Sequence, residues 1–178
     1  MTVKRVIELV RKHPQMSEAN TIATLIEPLL EILGWNTRDL DEVQREHPIP
    51  GGKGTERADI ALKIRGRSKV LIEAKPAGMD LEDSLAKQLI NYAIIGNVDW
   101  CVLANGRELR VYNAYWKVEG IQQRPLFKLA VNEHGEKRDK LWLLSKESVI
   151  IARLRALSLW RYTRRKVSHG LGRMRIRS

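Results

Sequence analysis

Apolar and polar positions change period several times along the chain, and each change predicts an element. Residues 3 to 13 read as a helix with Val6, Ile7, Leu9 and Val10 on one side, ended by His13-Pro14. Ser17 then offers an N-cap to a second helix, SEANTIATLIEPLLEILGW, stopped at Gly34. At about 100° per residue, Ile22, Leu25, Leu29, Ile32 and Leu33 form one stripe. Glu18 falls on that stripe, while Glu27 and Glu31 fall on the opposite, wet side. Pro28 lies inside the pattern and predicts a kink or a local break.

The period then falls to two. EVQREHPI, residues 42 to 49, reads as a strand, and PIPGGKGTE as a turn-forming loop. RADIALKIRGRSKVLIEAK, from Arg57 to Lys75, reads as two strands joined by a tight polar turn. Strand side chains alternate between faces, so Glu73 and Lys75 point the same way as Leu71, and Val70, Ile72 and Ala74 point the other way. Asp80 caps a predicted helix over 81 to 95, in which Leu81, Leu85, Leu89 and Tyr92 share a face bordered by Gln88. Strands follow at 99 to 104 and 107 to 113 around an Asn105-Gly106 hairpin turn, with a further short strand at 125 to 131. A last helix runs from about Lys146 to Trp160. The order predicts an α/β domain: a central mixed sheet of about five strands flanked by helices, over residues 1 to 160, with a tail at 161 to 178.

Composition narrows the class. Hydrophobic residues make up 43% and charged residues 30% of 178, as in a soluble globular chain with a real core. No apolar run approaches the roughly 18 residues of a membrane helix, and the charged N-terminus is unlike a secretory signal, so the expected address is the cytoplasm, away from membranes. One cysteine, Cys101, excludes an internal disulfide framework and a cysteine-rich zinc site. The four histidines, His13, His47, His134 and His169, have no metal-pair spacing, and the tryptophans read as core anchors. Gly52-Lys53 is followed by Gly54, and His47 stands where a P-loop needs glycine, so no nucleotide-hydrolysing motif is visible.

The net charge is +11. Nine of the 32 cationic residues and none of the 21 acids lie between Arg153 and Arg177, which leaves the rest of the chain at a net +2. A basic stretch of this kind expects a polyanion, nucleic acid first. Arg161, Arg164, Arg165, Lys166, Arg173, Arg175 and Arg177 are the predicted phosphate-backbone contacts.

A helix with an inward Glu18, a strand with Asp59, a strand ending Glu73-Ala74-Lys75 and a helix with Gln88 and Tyr92 follow one another in order. This set resembles the PD-(D/E)XK nuclease superfamily, and within it the N-terminal endonuclease domain of type I restriction-enzyme R subunits. The similar stretches are SEANTIATLIEPLLEILGW, RADIAL, VLIEAK and QLINYA, over about residues 15 to 113. Ala58 stands where a proline often precedes the first acid, and the R subunit's motor motifs are missing here. The resemblance implies a restriction-endonuclease-like fold, a restriction or repair setting, and Glu18 completing the metal shell or holding a second ion.

The residues themselves suit phosphodiester cleavage. The reaction needs an activated water, charge neutralisation at phosphoryl oxygens and help for the leaving oxygen, all of which Mg²⁺ (or Mn²⁺) supplies with few carboxylates and several waters. Asp59 and Glu73 are the expected ligands, with the Ala74 carbonyl as a neutral third. Lys75 would orient the water or stabilise the charged transition state, and Gln88 and Tyr92, a helical turn apart, would position the scissile strand or the lysine. For Asp59 to share a face with Glu73, opposed residues must have numbers of even sum. A three-residue turn at Arg65 to Arg67 achieves this, and a two-residue turn demands a bulge near Asp59.

The expected function is therefore a metal-dependent DNA endonuclease, acting as a homodimer or within a restriction or repair complex. The alternatives are a non-catalytic nucleic-acid-binding protein that keeps the nuclease fold, and an assembly subunit with a basic tail. On those readings Glu73 and Lys75 are a cross-strand charge pattern, Glu18 is a helix-dipole acid, and Gln88 and Tyr92 are helix-border residues.

Overall fold

The computed structural model describes residues 3–49, 56–115, 125–130 and 138–150. Six strands form one sheet in chain order: β1 (Val43–Pro48), β2 (Arg57–Ile64), β3 (Arg67–Ala74), β4 (Trp100–Ala104), β5 (Glu108–Asn113) and β6 (Phe127–Ala130). Only β3 and β4 run parallel, joined across one face by α4 (Asp83–Ile95); every other neighbouring pair is antiparallel. The sheet is mixed and flanked by helices, α/β as the sequence predicts, and all six strands read from the pattern join it.

Strand alternation divides the core in two. Val70, Ile72 and Ala74 of β3, with Ile60, Leu62, Val102 and Val111, pack beneath Ile26, Leu30, Leu33 and Trp35. Leu71, Ala61, Cys101, Leu103 and Tyr112 pack beneath Leu81, Ala86, Leu89, Ile90 and Ala93 of the α4 layer. Trp35 and Trp100 are buried anchors, as expected of them. The Cys101 thiol is buried and burial pushes its pKa up, so it is an inert core group. The Trp35 indole also donates to the Leu144 carbonyl at 2.9 Å, tying the end of the helical layer to a segment more than a hundred residues away. Trp35→Phe strands that buried carbonyl, and the expected cost is about 1–3 kcal/mol in a urea melt; an unchanged midpoint and slope would show the bond to be dispensable.

The second helix differs from its sequence pattern. Ser17 caps it, accepting from the Asn20 amide, and α2 (Glu18–Thr21) passes into a π-helical segment (Ile22–Ile26) before α3 (Glu27–Ile32). The wider turn lies immediately before Pro28, which has no N–H to continue the ladder, so the break falls ahead of the proline rather than as a kink at it. The wider turns also rotate the apolar face. Ile26 and Leu30 are buried in place of Ile32, which is 57% exposed, and Glu27 is drawn into an ion pair with Arg45.

Smaller corrections follow from local chemistry. The first helix is α1 (Val3–Lys12). The N-cap of α4 is Glu82 and not Asp80, and its side chain makes no capping bond, accepting from Ser84 Oγ instead. Between β4 and β5 lie three residues, Asn105 to Arg107, rather than a two-residue Asn-Gly turn. The last predicted helix, from about Lys146, begins as α6 (Lys146–Ile150), preceded by α5 (Arg138–Leu141) and a 3₁₀ turn (Trp142–Leu144) that the sequence pattern does not predict; its continuation and the basic tail at 161 to 178, with all seven predicted phosphate contacts, lie outside the described residues. Among the described residues no helix is long and apolar enough to cross a membrane.

Candidate active site

The β2–β3 hairpin meets the register condition by the second of its two routes. Arg65 and Gly66, both at positive φ, make a two-residue turn, which alone would place Asp59 opposite Ile72 and on the other face from Glu73. A bulge intervenes at Leu62/Lys63: Lys63 pairs with Ser68, Leu62 with Val70, and Lys69 is the extra residue. It lies nearer the turn than the predicted position by Asp59. Past it, Ile60 faces Ile72, and Asp59 and Glu73, the next residues along, fall on one face.

The ladder ends there. In an extended strand alternate residues send their N–H groups to opposite neighbours, and the Lys75 amide goes to the Ala104 carbonyl of β4. The Ala74 amide therefore turns toward β2, where it donates to Asp59 Oδ2 at 2.7 Å instead of to a backbone carbonyl. The Ala74 carbonyl turns to the same side, while its methyl is fully buried on the opposite face.

Lys75 lies at the centre of the charges. Its Nζ donates to Glu73 Oε1 at 2.7 Å and to Glu18 Oε2 at 3.4 Å. Lys75 and Glu73 expose only 15% and 17% of their side chains, whereas Glu18, arriving from the first turn of α2, exposes 40%. Burial opposes the charged form of Lys75, but the hydrogen bond and charge of Glu73, with Glu18 and Asp59 behind, outweigh it and hold the ammonium's pKa above its ordinary value. Asp59 is pushed up to about 6, first by burial and then by the charges of Glu73 and Glu18, against the opposing Ala74 hydrogen bond and Lys75 charge. Glu73 Oε2 is buried and has no hydrogen-bond partner among the described residues.

Gln88 and Tyr92 come together with each other, Gln88 Nε2 donating to Tyr92 Oη at 2.6 Å, and not with the lysine. Among the described residues no three His, Cys, Asp or Glu side chains gather closely enough to hold an ion. Mg²⁺ does not need three: it takes one or two carboxylates and keeps several waters. Two acids on one face, one with a buried oxygen bonded to nothing and the other with a raised pKa, fit such an ion. Asp59 and Glu73 would hold it, with the Ala74 carbonyl on the same side; Glu18, like Glu73, also accepts from Lys75.

A six-stranded mixed sheet with helices on both faces, and paired acids where β2 and β3 part, has the restriction-endonuclease-like fold. The chain belongs to the family described as "Type I restriction enzyme R protein N terminus (HSDR_N)", whose sequence model matches residues 24–125. That span holds Asp59, Glu73, Lys75, Gln88 and Tyr92 and begins after Glu18. Among solved structures, a chain of the DrdV–DNA complex determined by cryoEM is 16% identical, covering 80% of this chain and 13% of its own, with a TM-score of 0.53, a likeness of fold. A fragment of a putative HsdR subunit of a type I restriction enzyme from Vibrio vulnificus YJ016 is 23% identical, covering 56% of this chain and 21% of its own, with a TM-score of 0.47. This chain thus corresponds to a small part of either protein. No curated protein matches it in sequence.

Proposed function

We propose that this domain is a Mg²⁺-dependent endodeoxyribonuclease module of a restriction system, with Asp59, Glu73 and Lys75 at its catalytic centre. The observation that carries the reading is the buried, unbonded Oε2 of Glu73 beside a second carboxylate on the same sheet face. A buried carboxylate oxygen without a partner is costly in a protein with no ligand, and a cation held against it removes the cost.

When bound, the ion supplies a polarised water and neutralises phosphoryl oxygens. The chain's own residues do the rest. Asp59 is fixed by the Ala74 amide and keeps its second oxygen available. Lys75 carries a full positive charge into a site from which water is largely excluded, where an ammonium acts strongly on charge building up on a phosphate. Glu18 and Glu73 aim it: two carboxylates hold Nζ from two elements, so little rotamer freedom remains to be lost when the phosphate arrives. Gln88 and Tyr92, on α4, would contact the DNA strand beside the scissile bond. Since the domain corresponds to a small part of its structural neighbours, DNA specificity and any partner subunit are proposed to come from elsewhere in a restriction assembly.

Incubation of the protein with supercoiled plasmid and with single-stranded DNA tests the reading. Cleavage with Mg²⁺ or Mn²⁺, and none with EDTA, is the expected result. Salt-dependent binding with no cleavage in any metal would instead return a non-catalytic DNA-binding domain.

A further inference from the structure

We infer that Asn105, in the turn between β4 and β5, is a positioning residue that sets the relative placement of Lys75 and Glu18; the inference rests on the nuclease reading above. The two residues stand on segments with no shared secondary structure. Lys75 begins the loop that leaves β3, and Glu18 follows the loop that enters α2. The turn at residues 104 to 107 binds both loops.

Asn105 is 5% exposed and uses both ends of its amide. Its Oδ1 accepts from the Arg107 and Glu108 amides at 3.0 and 2.8 Å, which is all that the local turn requires. Its Nδ2 is spent elsewhere, on the Met79 carbonyl at 2.7 Å, four residues past Lys75 and 26 residues from Asn105 in the chain. The preceding residue, Ala104, accepts the Lys75 amide at 2.8 Å. The segment from Lys75 to Met79 is thus held at both ends by consecutive residues of one turn.

The same turn holds the other loop. Arg107 Nη2 donates to the Pro14 carbonyl at 3.0 Å, and the Ala77 amide donates to the Met16 carbonyl at 3.0 Å, two residues before Glu18. Contact between the loops is close: a Cβ on Gly78 would lie 2.5 Å from Gln15 Oε1 and 3.1 Å from the Pro14 carbonyl oxygen. Gly106, at φ +78°, leaves no room for a Cβ beside Leu25 of the π-helical segment. Buried amide, backbone tethers and close packing converge on the two loops that deliver the lysine and its outer carboxylate. A displacement of about 1 Å in such a placement costs up to about 10²-fold in rate.

Asn105→Ser separates the two functions of the amide, because a serine hydroxyl can still accept from the turn amides but does not reach Met79. The expected result is a fall in kcat for DNA cleavage of about 10- to 100-fold with KM for DNA unchanged. Hydrogen exchange at the Ala77 amide is expected to quicken while Val102 and Ile72, within the sheet, keep their protection. Wild-type kcat together with wild-type Ala77 protection would overturn the inference. If the unsubstituted protein cuts no DNA, the nuclease reading fails by itself, and the tether is judged by Ala77 exchange, which needs no activity. Should Asn105→Ser not fold, Asn105→Asp, which keeps the acceptor for the turn amides and lacks the donor to Met79, takes its place: faster Ala77 exchange upholds the inference and unchanged exchange refutes it.

Discussion

Lys75→Ala is expected to reduce Mg²⁺-dependent DNA cleavage by about 10²–10³-fold, the usual cost of removing one preorganised charge from a reacting phosphate, while DNA affinity changes little. The reasons lie in its surroundings. The ammonium is mostly enclosed and paired with Glu73 and Glu18, so it is not a surface cation that contributes to general phosphate attraction. Its deletion removes a transition-state contact and leaves binding contacts in place, which lowers kcat rather than raising KM. Cleavage rates and fluorescence-anisotropy titrations on one oligonucleotide duplex separate the two. A variant that cuts as fast as the wild type would remove Lys75 from the mechanism; one that simply stops binding would make it a docking residue. Lys75→Ala also leaves Glu73 Oε1 without its ammonium beside an oxygen that already lacks a partner, so a lower melting temperature in EDTA, restored in part by Mg²⁺, is expected as well.

Asp59→Asn should have effects of opposite sign on activity and on stability. The carboxylate of Asp59 has its pKa raised from an ordinary 3.8 to about 6, mainly by burial. A raised carboxylate pKa means the folded chain holds a proton more tightly than the unfolded chain does. Stability from this group is therefore greatest at acid pH, declines as pH climbs from about 4 to about 6, and stays at its lower level above that. A shift of this size corresponds to about 3 kcal/mol; partial exposure and solvent screening bring the expected penalty to about 1–2 kcal/mol. Asparagine keeps an oxygen for the Ala74 amide and carries no charge. In EDTA the variant is expected to be more stable than wild type by that amount at pH 8 and equal to it near pH 4. Its cleavage should be lost, and Mg²⁺ should raise the melting temperature of the wild type but not of the variant. Urea melts across pH in EDTA decide the matter: parallel pH profiles for the two proteins would mean that Asp59 is not strained.

Much of this arrangement was legible in the residues, and the missing parts have physical causes. The alternation of Val70, Ile72 and Ala74 against Leu71 and Glu73 assigned both faces of β3, because one apolar row on each side admits a single orientation. The stripe counted at 100° per residue falls out of phase in the helix after Ser17 because a π-helical segment adds residues without leaving a residue-type signature; only Pro28 hints at a break. The start of α4 was placed early since Asp80 is the better capping residue by type, yet the chain leaving β3 is still held to Asn105 through Met79 at that point. The hairpin gave the condition to be met but not the means, because Arg-Gly is a weak turn signal and a bulge at Lys69 looks like any polar strand residue. Asn105 read as part of a turn and nothing more. Its second partner, Met79, lies across the fold, and no local spacing announces it.

The extra residue at Lys69 carries an implication for how such domains can change in length. Between Asp59 and Glu73, gains or losses of two residues leave both acids on a common side, whereas a single gain or loss sends one of them through the sheet. Natural variation in this hairpin should therefore come in steps of two, or in singles matched by a compensating irregularity. An unmatched odd step would also exchange Val70, Ile72 and Ala74 with Leu71 between the two packed layers, so a single register sets both the grip on a cation and the packing beneath it.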